Sequence, residues 1–361
     1  MIDSGSTTIN SLIGGSIMAL ASTLHLYIQG KITGISGALF RCISFTEFNY
    51  NFSFILGMLA MSSFLKCFYD PSIQYINKYS STFLETPEKY VADLSLPGFV
   101  LAGFLVGFGA KMANGCTSGH GICGVPRLSK RSLVAITLFL IFGTLMSTIR
   151  YYHPFLLPEN QPYSVWDWSL INYLTLIGSC GIYLLNLLNI LRNGINNQLR
   201  DNIISFAIGA LFAYGLIQSG MLKRHIVVNF LTIATVWEVQ LGFVLASAIA
   251  INFFTFNFIL NKISKPLFQI GYELPTNTSV DNKLCLGAAI FGLGWGLAGI
   301  CPGPAVLTCY LYCPQILLFF GSLLAGLYIE NYFDKKIANL INSHPSIINS
   351  EFANLDEEKF Y

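Results

Sequence analysis

Two cysteine-bearing stretches hold the residue types in this chain that could do chemistry. The first, NGCTSGHGICG (Asn114 to Gly124), packs four glycines, two cysteines, two hydroxyls and a histidine into eleven residues. The second, ICPGP (Ile300 to Pro304), sets one cysteine ahead of two prolines separated by a glycine. A neutral thiol is a weak S–H donor and a soft, polarizable group. It suits a solute that presents sulfur, whereas sulfate would be better served by arginine or by hydroxyls. Pro302 and Pro304 suit the first turn of a helix, which puts Cys301 near its N-cap, where free amides and the helix dipole attract an anion. The glycine amides around Cys116 offer further nests for negative charge.

The expected lining of an anion path is therefore Cys116 and Cys301, with Cys123, Asn114, Thr117, Ser118, Gly119, His120, Gly121, Pro302 and Gly303 beside them. Cys42, Lys111, Arg127 and Cys309 are accessory candidates, the two cations as attractors at the mouth of the break. Cys116, His120 and Cys123, with Cys301 as a fourth, have the atoms of a Cys3His metal site. The spacing is not that of a zinc finger, and a neutral histidine bonded to backbone is the expected state. No metal, other cofactor or catalytic residue is assigned.

Polar, flexible breaks of this kind need elements to hold them, and the rest of the chain says which. Of its 361 residues 53% are hydrophobic and 11% charged, with a mean hydropathy of +0.59. A soluble domain carries roughly 25% charged residues. Charge-free runs at residues 4–30, 132–149, 170–191, 202–222 and 239–261 approach or exceed the ~20 residues that cross a bilayer, and 48–65 and 94–110 are slightly shorter. Residues 284–329 contain no Asp, Glu, Lys or Arg, enough for two crossings. The expectation is an all-α, multi-pass integral membrane protein with eight or nine spans. The segments between them, 31–47 and 223–238 among them, read as connections, and Ser129 reads as the N-cap of a helix starting near Lys130. The net charge of +2 comes from scattered basic residues and gives no nucleic-acid footprint. Almost no carboxylate or histidine falls inside the spans, which argues against a proton-driven pump.

The two breaks are also related to each other. Laying FLVGFGAKMANGCTSG (104–119) over AIFGLGWGLAGICPGP (289–304) puts Gly107 on Gly292, Gly109 on Gly294, Ala113 on Ala298 and Cys116 on Cys301. Two interrupted spans in corresponding halves point to a transporter built from repeats, here 1–192 and 193–330, followed by a polar tail at 331–361. Closely spaced small residues also let membrane helices pack, so the glycines alone have a plainer explanation. The polar residues do not, because irregular backbone at membrane depth persists only inside protein or beside a cavity.

ANGCTSGHGICGVPRLSKRSLVA (113–135) resembles the signature of the YeeE/YedE sulfur-transport family, and GWGLAGICPGPAVL (294–307) is similar to that family's second-half motif. With the span pattern the resemblance extends from about Ser11 to Tyr328. It implies a pseudo-symmetric, hourglass-like path in which short re-entrant helices meet and cysteines, here Cys116 and Cys301, pass thiosulfate or a related sulfur anion through the bilayer. The further early cysteine of thiosulfate-importing members has Cys42 as its only counterpart, in a context that does not fit. A soluble sulfur-carrier protein is a candidate partner. The rival reading is a membrane thiol enzyme in which Cys116 and Cys123 cycle through persulfide or disulfide chemistry.

Overall fold

The computed structural model describes residues 4–68, 93–157, 174–175, 177–179, 181–182, 197–235, 237–309 and 314–343. Among these residues the chain is helical, with one isolated bridge between Lys31 and Glu273. The long helices are α1 (Ser4–Gln29), α3 (Phe48–Phe68), α4 (Leu96–Met112), α5 (Lys130–Tyr152), α6 (Asn197–Gln218), α8 (Gln240–Lys262), α9 (Asn282–Ala298) and α11 (Pro314–Ser343). Three short ones, α2 (Ile35–Ile43), α7 (Arg224–Leu231) and α10 (Pro302–Thr308), lie between them.

Five helices among the described residues are long and apolar enough to cross a membrane. The number rises to seven if each of two bent pairs is one span. The bent pairs are α4 with residues 117–127, at 46°, and α9 with α10, at 42°, so both expected breaks interrupt helices. Residues 48–65, expected to cross, are helical as α3, and the run 170–191 lies largely outside the described residues. Two segments read as connections each hold a short helix, α2 and α7. With nine and eight residues they are too short for a span, and each buries a few apolar side chains against its neighbours. The polar tail expected from residue 331 begins as the last turns of α11, which runs on to Ser343. There Asp334 and Glu330 share the Lys283 ammonium.

Helix α4 packs on α9 and α11, α9 on α5, α1 on α6 and α8, and α3 on α6. Small residues set these distances. A methyl group at Gly107 would overlap the Leu323 carbonyl of α11, and one at Gly109 would sit 2.7 Å from the Gly287 carbonyl of α9. The Gly-x-Gly pairs that align the two breaks are thus packing glycines, the plainer explanation. In lipid, where the surroundings are as apolar as the side chains, close backbone approach of this kind is what joins helices.

Ser129 caps α5, its hydroxyl accepting from the Ser132 amide at 3.3 Å, as its position suggested. Asp281 caps α9 through the Leu284 amide at 2.7 Å.

Candidate functional site

The first break starts where α4 ends at Met112. Asn114 takes a left-handed backbone, φ 60°, and the chain resumes as a π-helical turn, Thr117–Gly124, with Cys116 at its N-cap. A histidine staples that turn back onto α4. His120 Nε2 lies 3.1 Å from the Ala113 carbonyl, and Nδ1 lies 3.1 Å from Ser132 Oγ. A carbonyl can only accept, so Nε2 carries a proton; in the neutral ring Nδ1 then accepts from the serine hydroxyl. The ring lies over Gly115, where a Cβ would stand 2.8 Å from Nε2. From the other side Asn252 of α8, fully buried, donates to the Ile122 carbonyl at 2.8 Å and to Ser22 of α1 at 2.8 Å. Arg127 Nε donates to the Cys123 carbonyl at 3.0 Å.

The second break is simpler. Gly299 turns the chain with φ 70°, and α10 begins at Pro302 with Cys301 as its N-cap. Pro302 and Pro304 have no N–H, and the Ala305 amide is spent on the Cys301 carbonyl. Only Gly303 is left with a first-turn amide to offer a ligand. The sequence had suggested several amides at this terminus; the prolines that start the helix remove them.

The two breaks meet. Thr117 Oγ1 donates to Cys301 Sγ at 3.5 Å, and Cys116 Sγ lies 3.2 Å from Ser118 Oγ. Cys116, Thr117, Ser118, Cys301 and Gly303 share one buried chamber of about 50 Å³, whose wall also includes Ile35, Ile122, Trp295 and Pro304 and apolar side chains of α1, α6, α7 and α8. That volume holds a few waters at most and is too small for a multi-atom anion without some opening.

Beside the chamber lies a vestibule of about 1020 Å³. Lys31, Arg41, Arg127, Lys130 and Arg131 line it with Glu273; Lys31 is paired with Glu47 and Glu273, and Arg131 with Asp281. Asn114, Gly115, Gly119 and His120 also face it. The wall between the two spaces is thin, because Ile35 and Ser118 belong to the chamber while Gly34, Ser36 and Gly119 belong to the vestibule. The Ile35 amide donates to Ser118 Oγ at 3.3 Å across this septum. A Cβ on Gly34 would come no nearer than 4.0 Å to Gly119 Cα, and one on Gly37 or Gly119 would meet nothing within 4 Å. Unlike the packing glycines, these three border open space.

Away from the vestibule, Asp93 bridges two buried arginines. It pairs with Arg150 at 2.6 Å and with Arg224, which also donates to the Ala298 carbonyl at the end of α9.

Several expected residues stand apart from the chamber. The Cys123 thiol donates to the Thr33 carbonyl at 3.4 Å, and the Cys309 thiol to the Val306 carbonyl at 3.3 Å. Pro302 is buried beside the chamber without lining it, and Gly121 packs toward Ile136. Cys42 lies half-buried on α2 against the core. Lys111 sits 4.0 Å over the Phe40 ring rather than in the vestibule. Trp295 and Asn252 were not foreseen. Nor were the buried His25 of α1 and Glu330 of α11, both inside candidate spans, which weakens the argument from sequence against proton coupling.

Apolar helices of spanning length, two of them broken around a central chamber, define an integral multi-pass membrane protein of the broken-helix class. Residues 95–146 match the family model described as Sulphur transport, and residues 201–340 match a family of unknown function, DUF6691. A probable transporter of Xylella fastidiosa (strain Temecula1 / ATCC 700964) is 36% identical over 129 residues, covering 36% of this chain and 86% of that relative. Another probable transporter, from strain 9a5c, is 34% identical over 137 residues, or 38% of this chain and 90% of the relative. These relatives are well under half as long as this chain. The chain belongs to the YeeE/YedE-like sulfur-transport family.

Proposed function

We propose that this protein carries a small sulfur-containing anion, thiosulfate before others, across a lipid bilayer through the chamber between Cys116 and Cys301. The observation that carries the reading is the meeting of the two cysteine-bearing breaks on one buried cavity, behind a vestibule rich in cations. The vestibule concentrates anions by its field. The septum at Ile35 and Ser118, flanked by Gly34 and Gly119, is the neck the solute crosses. Inside, thiols, the Thr117 hydroxyl and the Gly303 amide replace part of the hydration shell. None of these is a fixed positive charge, so contacts stay weak enough to release the anion, as conduction requires.

The halves 1–192 and 193–330 act in this reading as two related repeats. The helix packing supports it: α4 lies on α9 and α11 while α9 lies on α4 and α5, and α1 lies on α6 and α8 while α6 lies on α1 and α3. Exchanging the halves leaves that pattern unchanged. Relatives that are themselves less than half the length of this chain fit the same idea. The persulfide-enzyme alternative gains nothing from the geometry, since Cys123 is bonded to Thr33 and away from Cys116's chamber.

Uptake of labelled thiosulfate into proteoliposomes of the purified protein tests the reading. Saturable uptake that unlabelled thiosulfate suppresses better than sulfate supports it. Uptake no greater than in empty liposomes overturns it.

A further inference from the structure

Trp295 presents an unexplained donor at the chamber. The residue is 1% exposed, it lines the chamber with Cys116 and Cys301, and its indole N–H has no hydrogen-bond partner. It faces the Cys301 sulfur, a weak acceptor that leaves most of its donor strength unused. A buried N–H without a strong acceptor is destabilising, and an apolar side chain would avoid that penalty. The ring is held in place: Phe291 packs on it with centroids 6.2 Å apart, and a Cβ on Gly143 would stand 3.3 Å from its Cε3. A rigid, buried donor with no better acceptor than a thiol is what a binding site looks like before its ligand arrives.

We propose that the Trp295 Nε1–H is a fixed hydrogen-bond donor to the anion in the chamber, set opposite the thiols. An indole N–H donates, never accepts and does not titrate. It therefore selects for negative charge without holding the solute as a guanidinium would. With the Gly303 amide and Thr117 hydroxyl it makes a sparse set of neutral donors, which matches passage better than capture. This inference rests on the proposed transport reading and adds the group that discriminates charge within it.

Trp295→Phe keeps an aromatic side chain, smaller than the indole, and removes the donor. In proteoliposomes it is expected to raise the KM for thiosulfate about tenfold, the scale of a hydrogen bond to a charged group, with maximal rate less affected. A second measurement needs no transport and leaves Trp295 itself in place. Protein labelled with [15N]tryptophan carries four indoles, Trp166, Trp168, Trp237 and Trp295. The Trp295 signal is assigned by replacing the other three with phenylalanine. Thiosulfate is expected to move that signal saturably, in the direction of a stronger hydrogen bond, and equal sulfate to move it less. A KM within twofold of wild type, or an indole signal that does not move at saturating thiosulfate, overturns the proposal. Wild-type uptake with an unmoved indole refutes Trp295 alone, whereas absent wild-type uptake refutes the transport reading.

Discussion

The glycines divide into two sets, and alanine at one member of each set should give opposite results. Gly107 lies in the α4–α11 contact, where an added methyl would overlap the Leu323 carbonyl and come within 3.0 Å of Leu323 Cα. Backbone cannot move aside as a side-chain tip can, so Gly107→Ala forces the helices apart, at a cost of about 1–3 kcal/mol typical of overpacking. Gly119 borders the neck. A methyl there meets nothing within 4 Å, and the residue is absent from the positive-φ positions. Gly119→Ala should therefore leave stability unchanged or raise it by roughly 0.4–1 kcal/mol through the unfolded chain. Its methyl nevertheless projects into the passage opposite Gly34, and valine would fill more of it. The assay pairs thermal unfolding in detergent with thiosulfate uptake in proteoliposomes. Gly107→Ala should lower Tm and reduce the amount of folded protein. Gly119→Ala should hold Tm and slow uptake, with Gly119→Val slower still. If Gly119→Val keeps both Tm and wild-type uptake, the neck is not where the solute passes.

Three further outcomes follow from particular contacts. Cys301→Ser and Cys116→Ser should each lower thiosulfate uptake at least tenfold while shifting Tm little, since each change is nearly isosteric; uptake and unfolding measured together check it. Replacing Arg41 and Lys130 of the vestibule by glutamine should slow uptake most at low ionic strength, with the difference shrinking toward 0.5 M salt, where screening acts within a few ångströms. Asp93→Asn removes the half-exposed carboxylate that Arg150 and Arg224 share and should lower stability by about 2 kcal/mol, less than the roughly 3–5 kcal/mol for breaking a fully buried pair; the Tm reports it, and Arg150→Met introduced alongside should restore part of the loss.

The broken spans and their cysteines were legible because their signals are local. Long charge-free runs fix the bilayer crossings, and a proline pair or a run of glycines with polar residues cannot continue a helix in lipid. That Cys116 and Cys301 meet could be guessed from the repeated spacing. The walls around them could not. Ile35 comes from a nine-residue helix inside what reads as a connection, because so short a helix has no hydropathy signature of a crossing. The vestibule collects side chains from at least five separate stretches, so no single segment announces it. Cys123 shares a motif with Cys116 yet turns toward Thr33, since the π-helical turn sends residues 116 and 123 to different neighbours. Trp295 sat in a motif noticed for its glycines and cysteine; a tryptophan in an otherwise small-residue stretch was the available clue.

The central claim is that thiosulfate passes between Cys116 and Cys301. Initial uptake of labelled thiosulfate into proteoliposomes, compared between wild type and Cys301→Ala at matched folded protein, tests it most directly. The account predicts wild-type uptake well above empty liposomes and a variant reduced to near that background. Equal rates for the two proteins would contradict it.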